Sequence, residues 1–123
     1  MDEEKKYDLE ERTEKFSLRV RDFCVSIKRD IINLEYIKQV VRSAGSIGAN
    51  YIEANDNLGV NDLKMRIRIC RKESKESRYW LRHILTYENE SFEQEKLLLQ
   101  KEAEELMLIF AAILRKLDKG SQS

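Results

Sequence analysis

The sequence predicts an all-α protein, an antiparallel up-down-up-down four-helix bundle. Three observations predict it. Proline is absent from the 123 residues and glycine occurs only four times, so long stretches carry no helix breaker. Apolar residues recur at i, i+3/i+4 spacing along most of the chain. Short polar turns interrupt that pattern, and short turns join helices antiparallel. A chain of this length holds one core. The expected layout is a charged extension over 1–15, the bundle over 16–118 and a disordered tail over 119–123.

The first helix starts near Tyr7 or Glu14 and ends near Ile31. Phe16, Val20, Phe23, Cys24, Ile27 and Ile31 form its apolar stripe. Charged residues before Phe16 either extend it or fray. Asn33 is the one turn former at the first break, so that boundary is weakly marked. The second helix runs from about Glu35 to Asn55, with Ile37, Val40, Val41, Ala44, Ile47, Gly48, Tyr51 and Ile52 on one face. Asn57-Leu58-Gly59 is a clear turn. Asn61 then caps the third helix, and Asp62 suits the positive end of its dipole. That helix extends to about Thr86. Its core stripe is Leu63, Ile67, Cys70, Leu81 and Leu85, with Ser74 and Ser77 between. These serines face the small residues of the second helix, Ser43, Ala44, Ser46, Gly48 and Ala49, so the two helices should pack closely. Ser91 and Gln94 read as a capping box for a fourth helix from Phe92 to Leu117. Gly120 reads as its stop.

Function must come from where the charge sits. The chain has 23 basic and 23 acidic residues, hence no net charge. Segments differ sharply: residues 1–15 carry net −3, 60–87 net +5 and 88–105 net −5. In the third helix Lys64, Arg68, Arg71, Lys75, Arg78 and Arg82 recur at alternating spacings of four and three. They fall within a strip about 80° wide. Six cations on one strip need a negative partner. Nucleic-acid phosphate is one, because arginine contacts it bidentately. An acidic helix of the same or a neighbouring chain is the other: the N-terminal segment, or the start of the fourth helix with Glu93, Glu95, Glu102, Glu104 and Glu105 as its candidates. A third reading is a solvated face of weak salt bridges. Met65, Ile69, Tyr79 and Trp80 mark a second apolar side of this helix. Such a patch is covered either by a second subunit or by the N-terminal extension. In the second helix Arg42, Ser46, Asn50 and Glu53 form a polar face. It reads as a shared polar site or as a buried network fixing register, with Arg68, Arg71 or Arg78 as partners.

Several chemistries are excluded. The lone His83 has Trp, not Glu, three positions before it, so no di-iron Glu-x-x-His pair exists. Cys24 and Cys70 fit no metal spacing and read as reduced core thiols. No metal or cofactor is expected. No phosphate-cradling glycine loop and no GxSxG elbow occur. Gly45-Ser46-Ile47-Gly48 imitates a KH-domain GxxG but sits inside a helix. No nucleophile–base–orienter set can be assembled, so no enzyme is expected. Met1 to Lys6 lack an apolar run of the signal-peptide kind, which points to a cytoplasmic protein.

The segment from Val41 to Ala54, with Arg42, Ala44, Ser46, Ile47, Asn50 and Glu53, resembles the signature of a bacterial family. These are the small bundles encoded in intervening sequences of 23S ribosomal RNA genes. The run Arg68 to Leu81 is similar to the family too, so the likeness covers residues 16 to 117. Ala54 and Tyr51 depart from its pattern. The resemblance implies a four-helix bundle that assembles into a ring, a homopentamer, without an established activity. Related bundles serve as accessory factors for reverse transcriptases and bind RNA through a basic ring surface. RNA or an RNA-handling protein is the partner this implies.

Overall fold

The computed structural model describes residues 3–122, with side chains over 9–120. It is an all-α four-helix bundle: α1 (Glu3–Ser26), α2 (Ile31–Asn55), α3 (Val60–His83) and α4 (Glu90–Gln122). Each helix packs against its neighbours in sequence, and α1 closes the bundle against α4. Thus α1 and α3 lie diagonally.

One core fills the middle. Phe16, Val20 and Phe23 of α1 meet Val40, Ala44, Ile47 and Tyr51 of α2, Ile67, Cys70 and Leu81 of α3, and Leu99, Leu106 and Phe110 of α4. The expected close approach of α2 and α3 occurs at Ser43, whereas Gly48, expected at the same contact, faces Thr13 of α1 and Ala49 is exposed. Ser43 Oγ lies 2.8 Å from Ser77 Oγ, and Ser74 Oγ donates to the Cys70 carbonyl at 2.8 Å. Cys24 and Cys70 are free and buried, and burial pushes both thiols up to about 12. On the other flank of α2, a Cβ at Gly48 would come within 3.2 Å of Thr13 Oγ1, so glycine lets α1 lie close.

Helix ends differ from the sequence reading. Asp30 caps α2 by accepting from the Ile32 and Asn33 amides, so α2 starts four residues before Glu35. Ile31, expected in the core, is therefore 80% exposed. Asn33 is not a turn residue. It is fully buried, and its Nδ2 donates to the carbonyls of Lys28 and Leu85, both at 2.9 Å. Its Oδ1 accepts from the Leu85 amide at 2.8 Å, so one side chain ties together both links at that end.

Asn61 lies inside α3 and does not cap it; Gly59 does, with φ of 134°. Asp62 turns back to accept from the Leu58 amide at 3.0 Å. At the far end α3 stops at His83, where Ile84 takes extended backbone and is buried in place of the expected Leu85. Asn89, not Ser91, caps α4 by accepting from the Phe92 amide at 2.9 Å. The turn before it places two non-glycine residues in left-handed conformation, Tyr87 at φ 54° and Glu88 at φ 63°.

The charged stretch before Phe16 continues α1, with Leu9 and Thr13 buried. At the other terminus α4 runs through Gly120 to Gln122 rather than stopping there. Met1, Asp2 and Ser123 of the expected extension and tail lie outside the described residues. None of the described helices is long and apolar enough to cross a membrane.

Candidate nucleic-acid interface

The basic strip runs along the outer face of α3. From Lys64 to Arg82 it spans ~27 Å at 1.5 Å per residue. The structure divides its six members. Lys64 Nζ pairs with Asp118 at 3.4 Å, and Arg78 pairs with Glu104 at 3.8 Å, so these two staple α3 to α4. Arg82 lies over the Tyr79 ring, 5.9 Å from its centroid. Arg68, Arg71 and Lys75 are exposed and have no ion-pair partner among the described residues.

The acids that could neutralise the strip are held elsewhere. Of the expected partners in α4, only Glu104 reaches α3. Glu95 pairs with Arg19 at 2.8 Å. Glu102 receives a two-pronged contact from Arg12, at 2.8 and 2.9 Å, and Glu105 pairs with the same guanidinium at 3.0 Å. Hydrogen bonding from Arg12 holds the Glu102 carboxyl below the usual carboxylate range. The acidic start of α4 thus serves α1.

The acids of α3 itself are also turned away from its outer face. Asp62 pairs with Arg66 at 3.6 Å. Glu73 is 5% exposed and meets Arg42 of α2 at 3.1 Å, while Glu76 meets the same guanidinium at 3.5 Å. As a result every fully exposed charged side chain of α3 is basic: Arg68, Arg71, Lys72, Lys75 and Arg82. Lys72 lies just outside the strip read from the sequence, and burial rather than spacing reveals it.

Of the polar residues of α2, Arg42, Ser46 and Asn50 have partners in α2 and α3. Asn50 Nδ2 donates to Ser46 Oγ at 3.0 Å and to the Ser46 carbonyl, and Asn50 Oδ1 accepts from Arg66 at 3.1 Å. Arg66 therefore takes the place expected of Arg68, Arg71 or Arg78. Arg42 belongs with Glu73 and Glu76 about two turns away, and Glu53 is exposed. These residues form two small ion clusters between α2 and α3 rather than one shared site.

Of the second apolar side, Met65 and Tyr79 are 45% exposed, and Ile69 and Trp80 are half-buried. Trp80 stacks on Tyr36 of α2, at 6.1 Å between ring centroids. His83 joins this cluster, 5.2 Å from Tyr36 and 4.4 Å from Tyr79.

Burial raises the Glu73 carboxyl above its ordinary range, and its hydrogen bond with Glu76 adds to this. Arg42 opposes the shift only in part. A raised acid is bound more tightly to its proton in the folded state. Its contribution to stability is present at acid pH and is lost as pH rises through the raised value. Glu73→Gln should therefore match the parent at acid pH and exceed it by about 1 kcal/mol near pH 8. Urea midpoints at the two pH values check this. A variant less stable than the parent near pH 8 overturns it.

The fold and this face together define a four-helix bundle with one predominantly cationic helix surface. The fold matches the crystal structure of a protein of unknown function from the S23 ribosomal protein family of Bacteroides thetaiotaomicron. The match has a TM-score of 0.72 and 24% sequence identity, and covers 85% of this chain and 96% of that one. The sequence matches no protein-family profile and no curated protein.

Proposed function

We propose that this protein is a non-catalytic nucleic-acid-binding bundle that holds phosphate backbone, RNA in the first instance, on the outer face of α3. One observation carries the reading: the fully exposed charges of α3 are all cations, while its three acids, Asp62, Glu73 and Glu76, are paired away from that face. Arg68, Arg71 and Lys75 have no ion pair among the described residues to displace before phosphate binds. The likeness of residues 41–54 and 68–81 to the ribosomal intervening-sequence proteins supports an RNA-linked role. Ring assembly would repeat the surface and add avidity.

Arg71→Glu combined with Lys75→Glu tests it, because neither residue has an ion-pair partner among the described residues. Fluorescence anisotropy with a structured RNA should show affinity falling more than about tenfold and the log–log salt slope falling by about two. Unchanged binding overturns the reading. A second reading is favoured by Glu88 and Glu90, which are exposed within the acidic stretch at the start of α4. They offer a second copy an acidic surface for the same cations. If the double reversal halves the sedimenting mass and the parent ignores RNA, self-association is the role of the strip.

A further inference from the structure

We propose that the nucleic acid this protein takes is a double helix, laid along the α3–α4 seam so that both of its backbones are held. This rests on the reading of α3 as a phosphate-binding face and extends it to α4.

The seam is a regular frame. Lys64 and Arg78 of α3 lie fourteen residues apart, and so do their partners Glu104 and Asp118 of α4. Fourteen residues are four turns, ~21 Å. The two ion pairs therefore mark the antiparallel register at both ends. Cations flank the frame on each side. On α3 they are Arg68, Arg71 and Lys75. On α4 they are Lys101 and Arg115, each three residues before the acid that reaches α3. Both are exposed, and neither has an ion-pair partner among the described residues. Their shared spacing from the seam puts them on the same side of α4, four turns apart. Three unpaired cations of α3 thus stand beside two of α4, Lys101 and Arg115, ~21 Å apart on either side of exposed Leu108, on helices whose axes lie about 8–10 Å apart. A single strand offers one phosphate row and leaves the second unused. A duplex offers two, one on each side of a groove.

The neighbouring rings argue the same way. Single-strand binders present open aromatic faces on which bases stack. Here Tyr79, Trp80, His83 and Tyr36 pack on one another, with centroids 4.4 to 6.1 Å apart, and Arg82 lies over Tyr79. At the edge of the α3 row stands one exposed ring, Tyr79, and Arg82 lies over it, 5.9 Å from its centroid. The surface is also built on two paired helices and not on a loop, which suits a ligand whose phosphates are already in fixed register.

The test compares duplexes of about 16 base pairs, in RNA and in DNA, with their separated strands, at two salt concentrations. The duplex should bind at least about fivefold more tightly than either strand. Lys101→Glu with Arg115→Glu should lower duplex affinity about tenfold and reduce the salt slope by about two, with single-strand binding changed less than about twofold. Lys101→Arg with Arg115→Lys should retain duplex binding, which separates charge from folding. Preference between the RNA and DNA duplexes identifies the source of the phosphate rows, and either preference supports the proposal. Equal or tighter single-strand binding overturns it, as does duplex binding untouched by the α4 reversal. Failure of the parent to bind any of these overturns the phosphate reading itself.

Discussion

Phe110→Ala is expected to destabilise the bundle by about 4 kcal/mol. Phe110 is fully buried on α4, and its ring lies 5.9 Å from that of Tyr51, tilted by 52°. Tyr51 is itself buried, so the two rings form the contact across the middle of the bundle between diagonal helices α2 and α4. Truncation removes the transfer free energy of the ring and leaves a cavity. The rest of the core belongs to helices pinned by their neighbours and can collapse only partly. A domain of this size has about 5–15 kcal/mol in all, so the variant should lose a large part of its stability. Urea unfolding followed by circular dichroism checks the value. Phe110→Leu should cost much less, because most of the volume remains. Equal losses in the two variants would mean that ring contact with Tyr51, and not volume, is the source.

Asn33→Ala is the second large effect, expected at about 3 kcal/mol. It deletes one small side chain yet orphans three backbone groups: the carbonyls of Lys28 and Leu85 and the amide of Leu85. A buried group left without its partner costs about 1–3 kcal/mol, and partial access to water at the loop ends reduces the sum. The loss should be local before it is global. Hydrogen exchange at the Leu85 amide should accelerate more than exchange in the middle of α3. Uniform acceleration along the chain would show that Asn33 acts through overall stability alone. Asn33→Asp should not rescue, since the carboxylate keeps an acceptor but loses both donors.

Asn33 also shows what sequence could and could not convey. It was legible as an unusual residue at a helix boundary, because amide side chains commonly end helices. Its actual role depends on Leu85, fifty-two residues on, and periodicity carries no such information. The same limit explains the charges. Spacing gives the phase of each residue around its own helix, so the strip on α3 and the core stripes could be read directly. Spacing does not say which helix faces which. The acids of α4 were natural partners for α3 by charge, but Arg12 and Arg19 of α1 reach Glu102, Glu105 and Glu95 instead. Lys72 and Arg66 were hidden for the same reason. One becomes part of the surface and the other part of a buried-side cluster only once α2 is in place. Lys101 and Arg115 carried a signal that could have been found, since each stands three residues before a glutamate or aspartate that also repeats at fourteen.

The helix ends were the least legible part. Asp30, Gly59 and Asn89 displaced Asn33, Asn61 and Ser91 as caps, because several residues with capping chemistry stand near each boundary. Only packing of the turn selects among them.

The absence of net charge, set beside the one-sided placement of cations on α3, has a consequence for how the molecule meets a partner. A protein with a large positive charge is drawn toward a polyanion from any direction. A neutral one with a cationic flank feels little pull at a distance but a turning force as it approaches. That force falls off faster than a net attraction and is confined to about one Debye length, ~8 Å at physiological salt. Encounters with the wrong side forward are therefore not held. The charge layout selects the orientation of each collision more than it raises the number of collisions.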